Sequence, residues 1–301
     1  MPAMTNLIWN PLALKWIARA PERISRPTGK TGACPLCPGN EEMTPPETWA
    51  LRPEGSFPDT EGWLVRAVPN LYPAVTGPGM SHEVIVHSPN HCRDLAVASL
   101  EEATHVVQAW SARLDAFKSN PATKFAQISV NHGRAAGASL EHPHSQAIAL
   151  SQIPPIAEAE LLSTSISCPI CQLLQEAKQN LFLRELEGLA ALCPPWSEHP
   201  YEILIAPRDH QSAFERSGLE IQVAELLTNL LAALTESVSV EAYNVVLHTA
   251  PNTPKGSEFH WHIHAFGRVG TYAGIELGAG LPISMIDPAR AAEALKGVKP
   301  L

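Results

Sequence analysis

Two hydrophobic patterns recur along the chain. Short apolar runs bounded by proline or polar residues are typical of β-strands. These runs cover residues 83–87, 125–131, 203–206 and 243–248. Residues 100–117 and 219–237 instead carry apolar positions at helical spacing, and Ser99 with Glu102 has the spacing of a capping box at the start of the first helix. The patterns predict an α+β protein with antiparallel sheets and packed helices.

The order of these elements occurs twice, which indicates an internal repeat. Each half has a Cys-x-x-Cys motif, then a nine-residue segment that begins with Glu and ends with His, and then an Asn that precedes a His-x-His motif. The segments are Cys34–Cys37, 83–91, Asn131 and His142–His144 in the first half, and Cys168–Cys171, 202–210, Asn244 and His260–His262 in the second. We therefore expect two homologous domains, 1–155 and 156–301.

Composition and charge narrow the class of protein. The chain has 301 residues, 45% of them hydrophobic and 17% charged, which suits a globular protein with a sizeable core. A net charge of −9 disfavours a general nucleic-acid binder, because that affinity comes mostly from Lys and Arg on phosphates. The sequence shows neither a long apolar span nor a signal-peptide pattern, so we expect no membrane association and a cytoplasmic location.

The paired cysteines are candidate metal ligands. In a cytosolic protein, two Cys-x-x-Cys motifs favour metal or redox chemistry over structural disulfides. Two thiolates on one turn and two imidazoles from elsewhere make a closed tetrahedral zinc site, which is typical of a structural role. The predicted sets are Cys34, Cys37, His91 and His142, and Cys168, Cys171, His210 and His260. The alternative is a redox motif or two ordinary cysteines, and the matched histidines of the repeat favour zinc, about two ions per chain.

Residues 131–146 contain a candidate nucleophile, His144. A neutral imidazole can attack the α-phosphorus of a nucleotide, provided that its other nitrogen donates to an acceptor such as a backbone carbonyl. Gly133 and Gly137 would let the backbone approach phosphate oxygens, while Ser139 and Gln146 can donate hydrogen bonds to the developing charge. We predict a covalent nucleotidyl-histidine and ping-pong kinetics. The second half lacks this pattern around His260-Trp261-His262, so we expect a copy retained for structure. The alternative is that His262 or His264 binds a second metal or substrate.

The sequence resembles the galactose-1-phosphate uridylyltransferase family, the nucleotidyltransferase branch of the histidine triad superfamily, and its near relative ADP-glucose phosphorylase. The resemblance rests on residues 34–41, 44–47, 66–73 and 131–146. It implies tandem histidine-triad-like domains, with His144 as the nucleotidylated residue and Gln146 and Ser139 as phosphate contacts. Asn70 and Asn131 are expected to contact the nucleotide, and Arg23 and Arg26 the substrate phosphates, although a solvated basic turn is the alternative for the two arginines. Residues 274–280 resemble the phosphorylase and archaeal-type members, and we expect Glu276 there to bind substrate.

The family implies an activity and partners. The leading expectation is UMP transfer from UDP-glucose to galactose 1-phosphate in a homodimer whose sites borrow residues from the partner chain. One alternative is the same chemistry on ADP-glucose with inorganic phosphate as acceptor. The other is a non-catalytic zinc- and nucleotide-binding protein, because fold alone does not fix function. The second metal is expected to be zinc or iron.

Overall fold

The computed structural model describes residues 5–25 and 33–296. Twelve strands and six α-helices lie in this part of the chain. The strands are β1 (Leu7–Asn10), β2 (Lys15–Ala18), β3 (Trp49–Leu51), β4 (Val65–Pro69), β5 (Ser81–Val86), β6 (Phe125–His132), β7 (His144–Leu150), β8 (Phe182–Leu186), β9 (Leu189–Leu192), β10 (Ile203–Pro207), β11 (Tyr243–His248) and β12 (His262–Gly267). The helices are α1 (Leu100–Lys118), α2 (Pro155–Ile166), α3 (Pro169–Glu176), α4 (Glu220–Glu236), α5 (Gly274–Ala279) and α6 (Pro288–Leu295). The four strands and two long helices predicted from the hydrophobic pattern are confirmed.

Ten of these strands form one antiparallel sheet. Its order is β3-β4-β5-β7-β6-β11-β12-β10-β9-β8, while β1 and β2 form a separate hairpin. Strands β3 to β7 come from the first half of the chain and β8 to β12 from the second. The halves meet where β6 pairs with β11, with Asn131 directly opposite Asn244. The predicted α+β architecture is therefore present, and the sheets of the two halves are joined edge to edge into one.

Helices α1 and α4 cover one face of the sheet. Trp110 and Leu114 on α1 and Leu227 and Leu231 on α4 are at most 1% exposed and belong to the main core cluster. Full burial of each such side chain stabilises the fold by about 1.5–3 kcal/mol. The expected capping box at Ser99 opens α1, because its hydroxyl accepts the Glu102 amide and the Glu102 carboxylate accepts the Ser99 amide.

Successive side chains of β7 point to opposite faces of the sheet, which separates a core residue from the residues of the predicted active site. Ser145 points to the helical face, where its hydroxyl accepts a hydrogen bond from the indole of Trp110 at 2.8 Å. Because successive strand residues face opposite sides, His144 and Gln146 point to the other face. In the second half, helix α3 packs its apolar side chains on that other face of the sheet. None of the helices in the described ranges is long and apolar enough to cross a membrane.

The pairing of strands corrects one correspondence in the sequence repeat. Gln146 and His264 hold equivalent positions, two residues after the second histidine of each His-x-His motif. Glu83 lies one position before the residue that pairs with Gln146, whereas Glu202 lies two positions before the residue that pairs with His264. The structural counterpart of Glu202 is therefore His82 and not Glu83. A one-residue offset places the two glutamates on opposite faces of the sheet.

The matching of Asn131 with Asn244 is also wrong as a structural correspondence. Asn131 follows the residue that pairs with Ser145, and His248 follows the residue that pairs with Ile263. The counterpart of Asn131 is therefore His248. Asn244 instead faces Asn131 across the junction between the halves, where its side-chain amide donates to the Asn131 side-chain carbonyl at 2.7 Å.

Candidate active site and metal centres

The first predicted metal set comes together next to the start of β7. The cysteines lie on a turn, and the Sγ of Cys37 is 3.2 Å from Nδ1 of His91 and 3.5 Å from Nδ1 of His142. The Sγ of Cys34 is 3.8 Å from Nδ1 of His142. In a tetrahedral zinc site with ordinary bond lengths, sulfur and nitrogen ligands are about 3.6 Å apart. The four groups therefore fit a closed Cys2His2 zinc site.

The second set repeats this geometry. The Sγ of Cys171 lies 3.4 Å from Nδ1 of both His210 and His260, and the Sγ of Cys168 lies 3.3 Å from Nδ1 of His260. In this set His260 is fully buried, whereas His210 is exposed. Both predicted sets thus form groups that could hold a metal ion.

Backbone contacts orient the buried histidine of each set. Nε2 of His142 donates to the carbonyl oxygen of Ser88 at 2.8 Å, and Nε2 of His260 donates to that of Pro207 at 3.0 Å. A proton fixed on Nε2 leaves the lone pair of Nδ1 directed at the sulfurs, as metal ligation requires. Burial lowers the pKa of each of these two imidazoles to about 4, so Nδ1 is free of a proton at neutral pH.

Burial also shifts the pKa of one thiol in each set. Burial, followed by the neighbouring Cys34, raises the pKa of Cys37 to about 11. Burial and a hydrogen bond with Cys168 raise the pKa of Cys171 to about 11. The thiols of Cys37 and Cys171 therefore keep their protons at neutral pH, and a metal ion that binds them must displace these protons.

His144 begins β7 immediately after the first metal set. It is 7% exposed, and its Nδ1 donates to the carbonyl oxygen of His142 at 2.8 Å. A carbonyl oxygen only accepts, so the proton lies on Nδ1 and the lone pair on Nε2. This contact confirms the expectation that a backbone carbonyl of the same segment would hold the ring. In the neutral form of the ring, Nε2 then holds the lone pair that can attack phosphorus.

A cavity of about 510 Å³ adjoins His144. Asn131, Gly133 and Ser139 line it together with His142 and His144. The loop between β6 and β7 forms part of its wall, and this loop contains Gly133, Gly137 and Ser139, three of the residues predicted to approach phosphate. Ser139 and Asn131 thus lie at the same opening as His144, and their roles as substrate contacts stay predictions.

The loop depends on glycine at two positions. Gly133 has φ +79°, and an added Cβ would lie 2.9 Å from Cβ of Ala242. Gly137 has φ +90°, and an added Cβ there would meet nothing within 4 Å. Other residues rarely adopt these angles, so both positions favour glycine, but only Gly133 is also held by a close neighbour.

Gln146 lies on β7 on the same face as His144. Its Oε1 is 3.0 Å from Nε2 of His82, and Asn70 Nδ2 is 3.2 Å from the same ring nitrogen. Arg23 donates to the carbonyl oxygen of Tyr72 at 2.6 Å, which places it beside the segment that contains Asn70. Four predicted residues therefore lie in one region of the molecule: Arg23, Asn70, His144 and Gln146.

Two predicted substrate residues stand apart. Glu276 accepts the Ala273 amide at 3.0 Å at the start of α5, and it does not line the cavity beside His144. The role of Glu276 as a substrate contact therefore stays a prediction. Arg26 lies outside the described residues.

The sequence interpretation missed a polar group behind His144. The Ser145 hydroxyl accepts from Trp110, so its own proton is directed to the short contact with Nε2 of His87. Nδ1 of His87 then carries a proton and has no hydrogen-bond partner among the described residues, although His87 is only 4% exposed and lines the cavity. The alternation of β7 could have indicated the position of Ser145, but not the partner that it meets.

A third cluster lies in the second half, where the sequence allowed a metal or substrate site at His262 or His264 but did not predict the full set. His248, His262 and His264 bring ring nitrogens within 4.8 Å of one another, a spacing that could hold a metal ion. Glu160 on α2 adds a carboxylate oxygen 3.0 Å from Nδ1 of His248. These three histidines are the counterparts of Asn131, His144 and Gln146. The correct strand register is needed to see this correspondence, and the sequence repeat alone gave a different one.

The known proteins similar to this chain agree with the geometry. The family model described as "Galactose-1-phosphate uridyl transferase, N-terminal domain" matches residues 65–154. ADP-glucose phosphorylase of Arabidopsis thaliana is 26% identical over 96% of this chain and 92% of its own length. Galactose-1-phosphate uridylyltransferase of Thermotoga maritima is 25% identical over 97% of this chain and 98% of its own length.

Solved structures show the same likeness. The crystal structure of the Arabidopsis thaliana ADP-glucose phosphorylase with bound ADP-glucose has a TM-score of 0.81 at 25% identity, and the match covers 98% of this chain and 99% of that one. A uridylyltransferase structure has a TM-score of 0.83 at 26% identity, covering 97% and 98%. The continuous sheet with a His-x-His strand in each half defines a tandem histidine-triad-like protein. The chain is similar to the galactose-1-phosphate uridylyltransferase family and to ADP-glucose phosphorylase.

Proposed function

We propose that this protein is a hexose-1-phosphate nucleotidyltransferase that carries a nucleoside monophosphate on Nε2 of His144. The observation that supports this most directly is the hydrogen bond from Nδ1 of His144 to the His142 carbonyl. It fixes the tautomer that a nucleophilic imidazole needs. A protein that only binds nucleotides has no use for such a group beside a cavity with Ser139 and Asn131.

The reaction proceeds in two displacements. Nε2 of His144 attacks the α-phosphorus of a nucleotide sugar, a P–N bond forms, and the P–O bond to the β-phosphate breaks with release of hexose 1-phosphate. A phosphate oxygen of the acceptor then attacks the same phosphorus, and the bonding pair of the P–N bond returns to Nε2. Nδ1 keeps its proton throughout, and the His142 carbonyl stabilises the positive charge that the ring gains.

Other groups of the chain act on the phosphate. The amide of Gln146 and the hydroxyl of Ser139 donate hydrogen bonds to the non-bridging oxygens, where negative charge increases in the transition state. Loss of one such donor typically costs about 10²–10³-fold in rate. Cys34, Cys37, His91 and His142 would hold zinc, which would supply a structural anchor for His142 and hence for the carbonyl that orients His144.

We propose UMP transfer from UDP-glucose to galactose 1-phosphate as the reaction. Support comes from the match of the family model to residues 65–154 and from the full-length similarity to the Thermotoga maritima enzyme. A second candidate is AMP transfer from ADP-glucose to phosphate, favoured by the similarity to the Arabidopsis thaliana phosphorylase along 96% of the chain. A homodimer, a cytoplasmic location and the domain division at residue 155 are part of the same proposal.

The two reactions are separated by a direct assay of the zinc-loaded protein. One sample receives UDP-glucose with galactose 1-phosphate, another receives ADP-glucose with phosphate, and the products are resolved by ion-exchange chromatography. The variant His144→Gly serves as the control for contaminating activity. UDP-galactose formation supports the first reaction, and ADP formation supports the second. Turnover in neither sample would contradict the enzyme proposal and favour a non-catalytic nucleotide-binding protein.

A further inference from the structure

His82 occupies a buried position between the loop after β4 and the strand that carries the nucleophile. It is 4% exposed, and its Nδ1 accepts the backbone amide of Ala74 at 2.8 Å. An amide nitrogen only donates, so Nδ1 must hold a lone pair. The proton of the neutral imidazole is therefore on Nε2.

This proton has one suitable acceptor among the two groups next to it. Asn70 Nδ2 lies 3.2 Å from Nε2, but it is itself a donor, and the amide orientation of Asn70 is fixed because its Oδ1 accepts the Tyr72 amide at 2.8 Å. Oε1 of Gln146 lies 3.0 Å away and accepts. The hydrogen bond from His82 to Gln146 thus specifies which end of the Gln146 amide faces the ring.

The orientation of Gln146 matters for charge. With its oxygen held by His82, its NH2 group is left to face the substrate. A flipped amide would present a carbonyl oxygen to phosphate oxygens, and the interaction would change from attraction to repulsion. The two ends of the amide are nearly identical in shape, so packing alone does not select one of them.

The second half of the chain has a corresponding contact between neighbouring strands, made by different residue types. Glu202 is the counterpart of His82, and His264 is the counterpart of Gln146. Nδ1 of His264 lies 2.8 Å from Oε1 of Glu202, again across a diagonal of neighbouring strands. In both halves, the residue two positions after the His-x-His motif is held from the adjacent strand. Only the first half has an amide at that position, Gln146, and this amide can point in either of two orientations.

We propose that His82 is a positioning residue that acts through Gln146, setting its amide so that the NH2 group faces the phosphate transferred to His144. The inference rests on the proposed nucleotidyl transfer. His82 touches neither the phosphate nor His144 in this account. Its effect must therefore disappear when Gln146 has no amide.

A double-mutant cycle tests this directly. The variant His82→Asn keeps an oxygen near the position of Nδ1 for the Ala74 amide but ends short of Gln146. We expect it to slow nucleotidylation of the zinc-loaded enzyme about 10- to 100-fold in single turnover, with the KM for nucleotide sugar little changed, since the contact acts in the transition state. In the Gln146→Ala background, the same substitution should change the rate by less than about twofold. The control His105→Asn, on α1, should leave both rates unchanged.

A second variant keeps the test decisive if His82→Asn does not fold. In the His82→Gln variant, the new side chain places an NH2 group at the position of Nε2. This variant should therefore retain the hydrogen bond to Gln146 and most of the nucleotidylation rate. Equal losses in His82→Gln and His82→Asn, equal costs in both Gln146 backgrounds, or a wild-type rate in a folded His82→Asn would each overturn the inference. If the wild-type protein forms no adduct at all, the proposed function fails. If the adduct forms but the effects of His82→Asn and Gln146→Ala simply add, the proposed function stands and only the role of His82 is wrong.

Discussion

Nδ1 of His144 lies 2.8 Å from the carbonyl oxygen of His142, and the ring of His142 is directed at two cysteine sulfurs. The ring of the proposed nucleophile is therefore oriented by the backbone of a proposed metal ligand. The second half repeats the contact, with Nδ1 of His262 2.9 Å from the carbonyl oxygen of His260. Both halves therefore share the contact between the carbonyl of the first histidine and the ring of the second, while the groups around the second ring are histidines and a glutamate.

Each cysteine set is expected to hold one zinc ion. Cys34→Ser and Cys168→Ser should each lower the zinc content by about one ion per chain, as measured by elemental analysis of protein purified without chelator. Cys92→Ser is the matched control, because Cys92 is exposed and outside both sets. The first variant should also lose most activity, since it frees the residue that orients His144, and the second should lose mainly thermal stability. Equal zinc content in all three variants would contradict the assignment.

The loop between β6 and β7 should tolerate alanine worse at Gly133 than at Gly137. Both substitutions place a side chain at a positive φ, which costs on the order of 1–3 kcal/mol. Gly133→Ala also forces Cβ against Ala242, so the loop must shift, and a displacement near 1 Å can cost about 10²-fold in rate. We expect kcat/KM to fall about tenfold more for Gly133→Ala than for Gly137→Ala.

Gly188 supplies the control for this comparison. It has φ +87° in the turn between β8 and β9, with nothing within 4 Å of an added Cβ. Gly188→Ala should lower the melting temperature much as Gly137→Ala does and leave kcat/KM unchanged. If Gly133→Ala behaved like Gly188→Ala, the loop would not position substrate.

Stability should fall in acid partly through His87. Burial, and then the nearby His144 and His142, hold the pKa of this imidazole well below the usual 6.5. In the unfolded chain the ring takes up a proton as pH falls below 6.5, whereas the folded chain keeps it neutral. Its contribution is therefore fully present above pH 6.5 and is lost progressively below it. At pH 5 the loss is about 2 kcal/mol if the folded ring is still neutral there.

The measurement is the free energy of unfolding at pH 8 and at pH 5 for the wild type and for His87→Leu. The variant should be less stable at pH 8, because Ser145 loses an acceptor, but it should lose less stability on acidification. The metal ligands are present in both proteins, so the difference between the two acid losses isolates His87. Identical losses would show that His87 is not held neutral in the folded protein.

The chemistry was more predictable from the sequence than the geometry around it. Cysteine and histidine types at repeated spacings identified both metal sets, because few side chains bind zinc and their spacing restricts the possibilities. The carbonyl partner of His144 followed from the requirement for an unprotonated attacking nitrogen. The four central strands and the two long helices followed from hydrophobic periods.

Strand register limited the rest. A shift of one residue moves every side chain to the other face, and spacing to a distant histidine does not detect such a shift. Glu83 and Glu202 therefore looked equivalent while lying on opposite faces. The joined sheet and the contact of Asn131 with Asn244 depend on pairing between residues more than one hundred positions apart. The cluster of His248, His262 and His264 depends on the strand register. Glu276 does not line the cavity beside His144, and its role as a substrate contact stays a prediction.

The central claim, covalent transfer through His144, is tested most directly by intact mass spectrometry. Zinc-loaded wild-type protein and the His144→Gly variant are each incubated with UDP-glucose or ADP-glucose without an acceptor, and their masses are compared. The wild type should gain one nucleoside monophosphate, UMP or AMP according to the donor it uses, and the variant should gain none. An unmodified wild-type protein that nevertheless completes transfer when acceptor is added, or an adduct that persists in His144→Gly, would contradict the covalent role of His144.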